Sequence, residues 1–221
     1  MPICKKRVSF NSRLDWMVSP PGFLRKLYPG GVWRKHPDKL NRRVFLTFDD
    51  GPVPGITPWV VDLLKSWEAV GTFFCVGDNI RKYPAVYARL QQKEGMETGC
   101  HGYRHIPGHH LEKQEFLGDL EKALSFMPGV RLYRPPHGII YPWWIQDLKS
   151  YGLEMIMWDV LSRDYNRALT PEQIIRNVTR HVRPGSVVVF HDSLRAWPNL
   201  KVALPVILKW LKENDFDTGV L

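Results

Sequence analysis

Two carboxylates stand side by side where an apolar run ends, in Thr47-Phe48-Asp49-Asp50-Gly51-Pro52. Neighbouring strand residues point to opposite faces, so both acids reach one site only where the backbone turns, and Gly51 and Pro52 favour a turn there. Paired carboxylates repel, and their pKa values separate unless a cation or an arginine neutralises one; the pair is a candidate for acid–base or metal chemistry. Further on, His101-Gly102-Tyr103-Arg104-His105 spaces two imidazoles four residues apart. On one face of a helical turn they can bind the same ion. His109 and His110 are set aside because Pro107 and Gly108 break the turn before them. Asp50 or Asp49 with His101 and His105 gives three N/O ligands and an open position for water, the pattern of a catalytic zinc site. Cobalt, nickel, manganese or iron suit the same donors.

Three more clusters sit where apolar runs end: Arg134-Pro135-Pro136-His137-Gly138, then Asp159 with Asp164-Tyr165, then His191-Asp192. An arginine beside a carboxylate keeps it ionised and oriented, and prolines stiffen a loop so that a backbone N–H can be aimed. Taken singly, each cluster has a plainer reading: a turn, a proline-rich surface loop, a satisfied core histidine. Five such strand-end clusters in one chain are hard to assign to chance.

The elements that must position these residues alternate. Residues 44–48, 72–76, 97–100, 131–133, 154–158 and 186–190 read as short strands. Residues 57–70, 83–94, 111–126, 143–151, 171–181 and 200–211 read as helices, the first with Thr57 as cap and Pro58 at its first position. Six or seven strand–helix units in 221 residues predict one α/β domain, a closed or nearly closed barrel of six to eight parallel strands. Residues 1–43, basic and rich in Pro and Gly, read as an irregular N-terminal arm, with 44–221 as the regular folded domain; Met17 is an alternative start.

Composition sets the outer limits. With 44% apolar and 24% charged residues, disorder, collagen and coiled coil fall away. The net charge of +9 favours anionic surfaces, but no nucleic-acid-binding motif accompanies it. Cys4, Cys75 and Cys100 cannot all pair, and no C-x-x-C occurs, so no disulfide scaffold or cysteine zinc site is expected. No apolar run approaches the roughly 20 residues of a membrane span. Residues 1–16 lack the apolar stretch of a secretory signal, which makes a cytoplasmic protein the default expectation. The nine tryptophans, Trp143, Trp144 and Trp197 among them, suit either core packing or stacking on sugar rings. Nothing in the composition sets an oligomeric state.

Taken in order, TFDDGP (47–52), HGYRH (101–105), RPPHG (134–138), Asp164-Tyr165 and FHD (190–192) resemble the polysaccharide deacetylases, the NodB-type group or carbohydrate esterase family 4. The resemblance covers roughly residues 44–221. It implies a distorted (β/α) barrel, one divalent metal with zinc first, and hydrolysis of N-acetyl groups on N-acetylglucosamine units of peptidoglycan, chitin or a related glycan. Asp49 would be the general base and Asp50, His101 and His105 the metal ligands. Arg134 would hold Asp49, and His191, set by Asp164, would be the general acid. Pro135 and His137 would belong to the substrate and oxyanion region, His137 through its backbone N–H where the family has Tyr, and Tyr165 would line the acetyl pocket in place of Trp. Gly102 departs from the family's Ser or Thr after the first histidine, whose hydroxyl steadies the turn. Such substrates lie in the cell envelope, at odds with the default compartment. Two other readings stay open: deacetylation of a small intracellular amide or aminosugar, and a catalytically silent glycan-binding module.

Overall fold

The computed structural model describes residues 18–35 and 42–221. Cys4 and the basic stretch 1–16 lie outside the described residues. Chain order runs α1 (Gly22–Leu27), β1 (Gly31–Val32), β2 (Arg43–Asp49), α2 (Ile56–Ser66), β3 (Gly71–Cys75), α3 (Gly77–Lys82), α4 (Pro84–Gln91), β4 (Met96–Cys100) and α5 (Lys113–Leu124). It continues with β5 (Leu132–Tyr133), α6 (Ile145–Ser150), β6 (Glu154–Ile156), β7 (Val160–Leu161), α7 (Pro171–Thr179), β8 (Val187–His191), α8 (Trp197–Glu213) and β9 (Asp217–Thr218). Eight strands form one curled sheet in the order β1-β6-β5-β4-β3-β2-β8-β7, with β9 added beside the start of β2. Every pairing between named strands is parallel, which is the distorted (β/α) barrel expected from the alternation, and one antiparallel bridge joins Arg34 to Ser186.

The pleat sorts side chains between two compartments. Along β2, Val44, Leu46 and Phe48 join the large core under the helices, while Phe45 joins Phe74, Leu132, Ile156 and Val187 in a separate inner cluster. This period of two puts Phe45, Thr47 and Asp49 on the barrel's inner face. The helices bury matching stripes, such as Ile56, Val60, Val61 and Leu64 on α2 and Leu200, Ala203, Leu204, Ile207 and Leu211 on α8.

Several local expectations change. Helix α2 starts at Ile56, so Thr57 lies inside it; the Thr57 hydroxyl accepts from the Val53 amide and donates to Asp192 rather than capping the helix. Helix α3, strand β7 and strand β9 went unread because they are only six, two and two residues long. Part of the stretch read as irregular is ordered: Gly31–Val32 pairs with β6, the Lys35 amide donates to Gly185 O at 3.0 Å, and the Leu161 amide donates to Val18 O at 2.7 Å. Residues 18–35 thus run along the seam between edge strands β1 and β7. Cys75 and Cys100 sit opposite each other on β3 and β4, both buried and both free.

Candidate active site

Where β2 ends, its inward face becomes chemical. Arg134 leaves β5 and crosses the barrel interior fully buried, its guanidinium 4.1 Å above the Phe74 ring. Nη1 donates to Thr47 Oγ1 and Asp49 Oδ1, both at 2.7 Å, and Nη2 to Met157 O at 3.0 Å. A charge that far from water persists only with partners of this kind. Asp50 then takes φ 76°, and its carbonyl accepts from Asn79 Nδ2 at 2.7 Å. That reversal brings both carboxylates to one cavity.

His101 follows β4 and is 2% exposed. Its Nδ1 is 2.8 Å from the Arg134 carbonyl, which can only accept, so Nδ1 carries the hydrogen and Nε2 keeps its lone pair. That Nε2 lies 3.8 Å from Asp50 Oδ1, and His105 Nε2 lies 3.0 Å from the same oxygen. One donor atom from each of Asp50, His101 and His105 falls within 4.8 Å of the others. Burial pushes His101 down to about 4, leaving it neutral at pH 7, as a metal ligand must be. Burial alone would raise Asp50, but the His105 hydrogen bond and the imidazoles of His191, His105 and His101 outweigh it and hold the carboxyl well below its ordinary range. The two histidines do not share a helical turn, as their spacing suggested. They bracket an irregular loop in which Gly102 has φ 72° and His105 has φ 56°.

Opposite, His191 at the end of β8 is in register with Asp49. Its Nδ1 is 2.7 Å from Asp164 Oδ1, and its amide donates to Asp164 Oδ2 at 2.9 Å. Asp164 is wholly buried and fixed in turn, its carbonyl accepting from Asn199 Nδ2 at 3.0 Å. Burial disfavours the imidazolium, but the Asp164 carboxylate outweighs it and His191 is raised to about 9. It carries a proton at neutral pH.

These groups line a cavity of about 420 Å³ with Asp49, Asp50, His101, His105, Arg134, His137, Tyr165 and His191 in its wall. Asp164 stands behind His191. Pro135 is buried and lies outside that wall. The His137 ring sits 4.6 Å from that of His105, and Tyr165 meets His191 edge-on at 4.9 Å. Asp50, His105 and His137 are all non-glycine residues at positive φ, a conformation costing about 1–3 kcal/mol each that gathers at functional sites. Two residues of the strand-end clusters lie elsewhere. Asp159 accepts from Arg25, Arg183 and Ser186 at the seam. Asp192 is buried against Thr57, with burial and the charges of Asp50 and Asp49 raising it to about 7. Of the tryptophans, Trp144 stacks on Phe116 and Trp197 packs edge-on to Trp59; Trp143 is 67% exposed and stacked on Tyr141.

Sequence reasoning passed over Thr47, Asn79 and Asn199, and also Trp158, which lines the same cavity. Thr47 alone had a usable signal: two residues before Asp49, it shares that residue's strand face. The others come from distant elements.

Fold and cavity together define a parallel (β/α)-barrel protein with a buried arginine–carboxylate pair on one flank of a His-His-Asp cluster and a charged imidazole on the other. The family profile of the polysaccharide deacetylases matches residues 36–156, and the chain belongs to that family. A chitooligosaccharide deacetylase of Azorhizobium caulinodans is 32% identical over 158 residues, 68% of this chain and 73% of its own length. A peptidoglycan-N-acetylglucosamine deacetylase of Bacillus cereus is 28% identical over 198 residues, covering 87% and 92%. A solved peptidoglycan N-acetylglucosamine deacetylase superposes with a TM-score of 0.79 at 26% identity over 90% of this chain and 93% of its own. A family 4 pseudoenzyme of Bacillus anthracis superposes at 0.77 with 24% identity over 91% and 71%, a likeness of fold alone.

Proposed function

We propose that this chain is a metal-dependent deacetylase that hydrolyses the N-acetyl group of N-acetylglucosamine units in a glycan of the peptidoglycan or chitin kind. One observation carries the reading: the Asp50–His101–His105 cluster, the Arg134-held Asp49 and the Asp164-held His191 share one cavity. The first cluster fits a divalent ion by its donor chemistry: an ionised carboxylate, a neutral buried imidazole with its lone pair aimed inward, and a second imidazole on the same oxygen. Zinc is the first choice for such donors, with cobalt, nickel, manganese or iron as alternatives.

Held by Asp50, His101 and His105, a divalent ion would lower the pKa of a water and polarise the acetyl carbonyl. Asp49, oriented by its hydrogen bond from Arg134, takes the proton from the attacking water. The His137 backbone N–H serves the oxyanion, and Tyr165 beside His191 borders the acetyl group. An amide nitrogen leaves only once protonated, and His191, charged at neutral pH, delivers that proton as the C–N bond breaks. Acetate and a free amine are the products.

The test is acetate release from N-acetylated chitooligosaccharides, peptidoglycan fragments and free N-acetylglucosamine, with metal content measured in parallel. His191→Ala should cut turnover strongly while the protein keeps its metal, whereas Asp50→Ala should empty the site. Metal loss in His191→Ala would reverse its assignment, and activity on the monosaccharide alone would favour the small-substrate reading. A metal-loaded protein that releases no acetate would make it a silent glycan-binding module.

A further inference from the structure

The loop between the two metal-site histidines has no regular structure, yet its backbone is held from both sides. On one side the amides of Gly77 and Asp78, at the start of α3, donate to the carbonyls of Gly102 at 2.9 Å and Tyr103 at 3.1 Å. On the other side stands Asp119 of α5, only 8% exposed. Its Oδ2 accepts from the Tyr103 amide at 2.7 Å and, more weakly, from the Arg104 amide at 3.4 Å, while Oδ1 accepts from Arg104 Nε at 2.7 Å. A Cβ at residue 102 would come within 3.2 Å of the same carboxylate, so the carboxylate packs against the bare Gly102 backbone.

We infer that Asp119 is the positioning residue of the metal site: a buried carboxylate on a neighbouring helix takes up the loop amides between His101 and His105 and so fixes the distance between their imidazoles. The inference rests on the reading of Asp50, His101 and His105 as ligands. A carboxylate accepting backbone N–H groups makes charge-assisted hydrogen bonds, roughly twice as strong as neutral ones. Gly102 brings no side chain and, at φ 72°, no conformational preference of its own, so the loop's shape has to be imposed from outside. Asp119 touches no ligand atom; it acts through the backbone that carries them.

The experiment uses the full chain and reads metal binding rather than turnover. Zn2+ affinity is measured by competition with a chromophoric chelator, and the Co2+ absorption spectrum reports ligand geometry. Asp119→Ala is expected to weaken Zn2+ binding by about tenfold or more, in the range typical of groups that orient metal ligands from behind, and to alter the Co2+ bands. Asp119→Asn keeps an oxygen for the Tyr103 amide and should bind more tightly than Asp119→Ala. Arg104→Gln removes the half-exposed ion pair but leaves the loop amides on the carboxylate, and should keep wild-type affinity. Should Asp119→Ala fail to fold, Asp119→Ser, too short to reach the Tyr103 amide, replaces it under the same two readings. Wild-type affinity and spectrum in Asp119→Ala would overturn the inference, as would an equal loss in Arg104→Gln. Wild-type protein that takes no metal would overturn the ligand reading along with it.

Discussion

A single ion pair sets the acid of the proposed reaction. Burial alone would keep the His191 imidazole neutral, and Asp164 is what brings it to about 9. A step that needs the imidazolium therefore weakens as pH rises through that value. In Asp164→Asn the largest attraction is gone, only the charges of Asp50 and Asp49 are left to oppose the downward push of burial, and the basic limb of the kcat profile should move to lower pH by about one unit. A limb that stays in place would show that another group titrates there. The pair's contribution to folding has the same sign: it is complete below the ordinary imidazole value of 6.5 and is lost as pH climbs through about 9. At this scale the sequence was informative, because acids, imidazoles and the arginine sit beside strand-end turns that can be read. The positive φ of Asp50, His105 and His137 was hidden, since Asp and His tolerate it better than most residues but only the surrounding contacts impose it at these positions.

At the scale of elements, the loop after β2 depends on a fit between two strands' ends. A Cβ on Gly51 would stand 2.1 Å from Asp192 Oδ2 and 2.7 Å from Oδ1. Gly51→Ala must displace either the Asp49–Asp50 turn or the buried Asp192, and should cost about 2 kcal/mol or more in urea unfolding. An unchanged midpoint would mean the loop yields freely. Strands β2, β3, β4 and β8 and helices α2, α5, α7 and α8 were legible within a few residues because their apolar periods are clear. Thr57 was misread as a cap because Thr-Pro is a common helix opening; here the hydroxyl serves Asp192 instead. Asp119 falls in the apolar stripe of α5 with Phe116, Leu120 and Ala123, a carboxylate out of pattern that marks a buried partner, but only the fold shows that this partner is the 101–105 loop.

Across the whole molecule, the barrel wall is completed by residues that look irregular as sequence. Asp159, fully buried, gathers Arg25 from α1, Arg34 after β1, Arg183 before β8 and the Ser186 hydroxyl. Burial would raise its pKa, but the bonds from Arg183, Ser186 and Arg25 hold it below the usual carboxylate value. Asp159→Ala leaves three part-exposed arginines crowded together without their shared carboxylate and should cost about 1.5–3 kcal/mol. Acetate release at low temperature, by contrast, should survive, because none of these groups reaches the catalytic cavity. Helix-to-sheet alternation announced the barrel, whereas its closure rests on pairings of one or two residues that carry no period. The contacts across the seam are short, a bridge from Arg34 to Ser186 and the amide bonds of Lys35 and Leu161, while β2 is flanked by partners along most of its length. In deuterium exchange the amides of Lys35 and Leu161 should therefore label long before those of Leu46 and Phe48, so the molecule can breathe along one side while the catalytic wall stays shut.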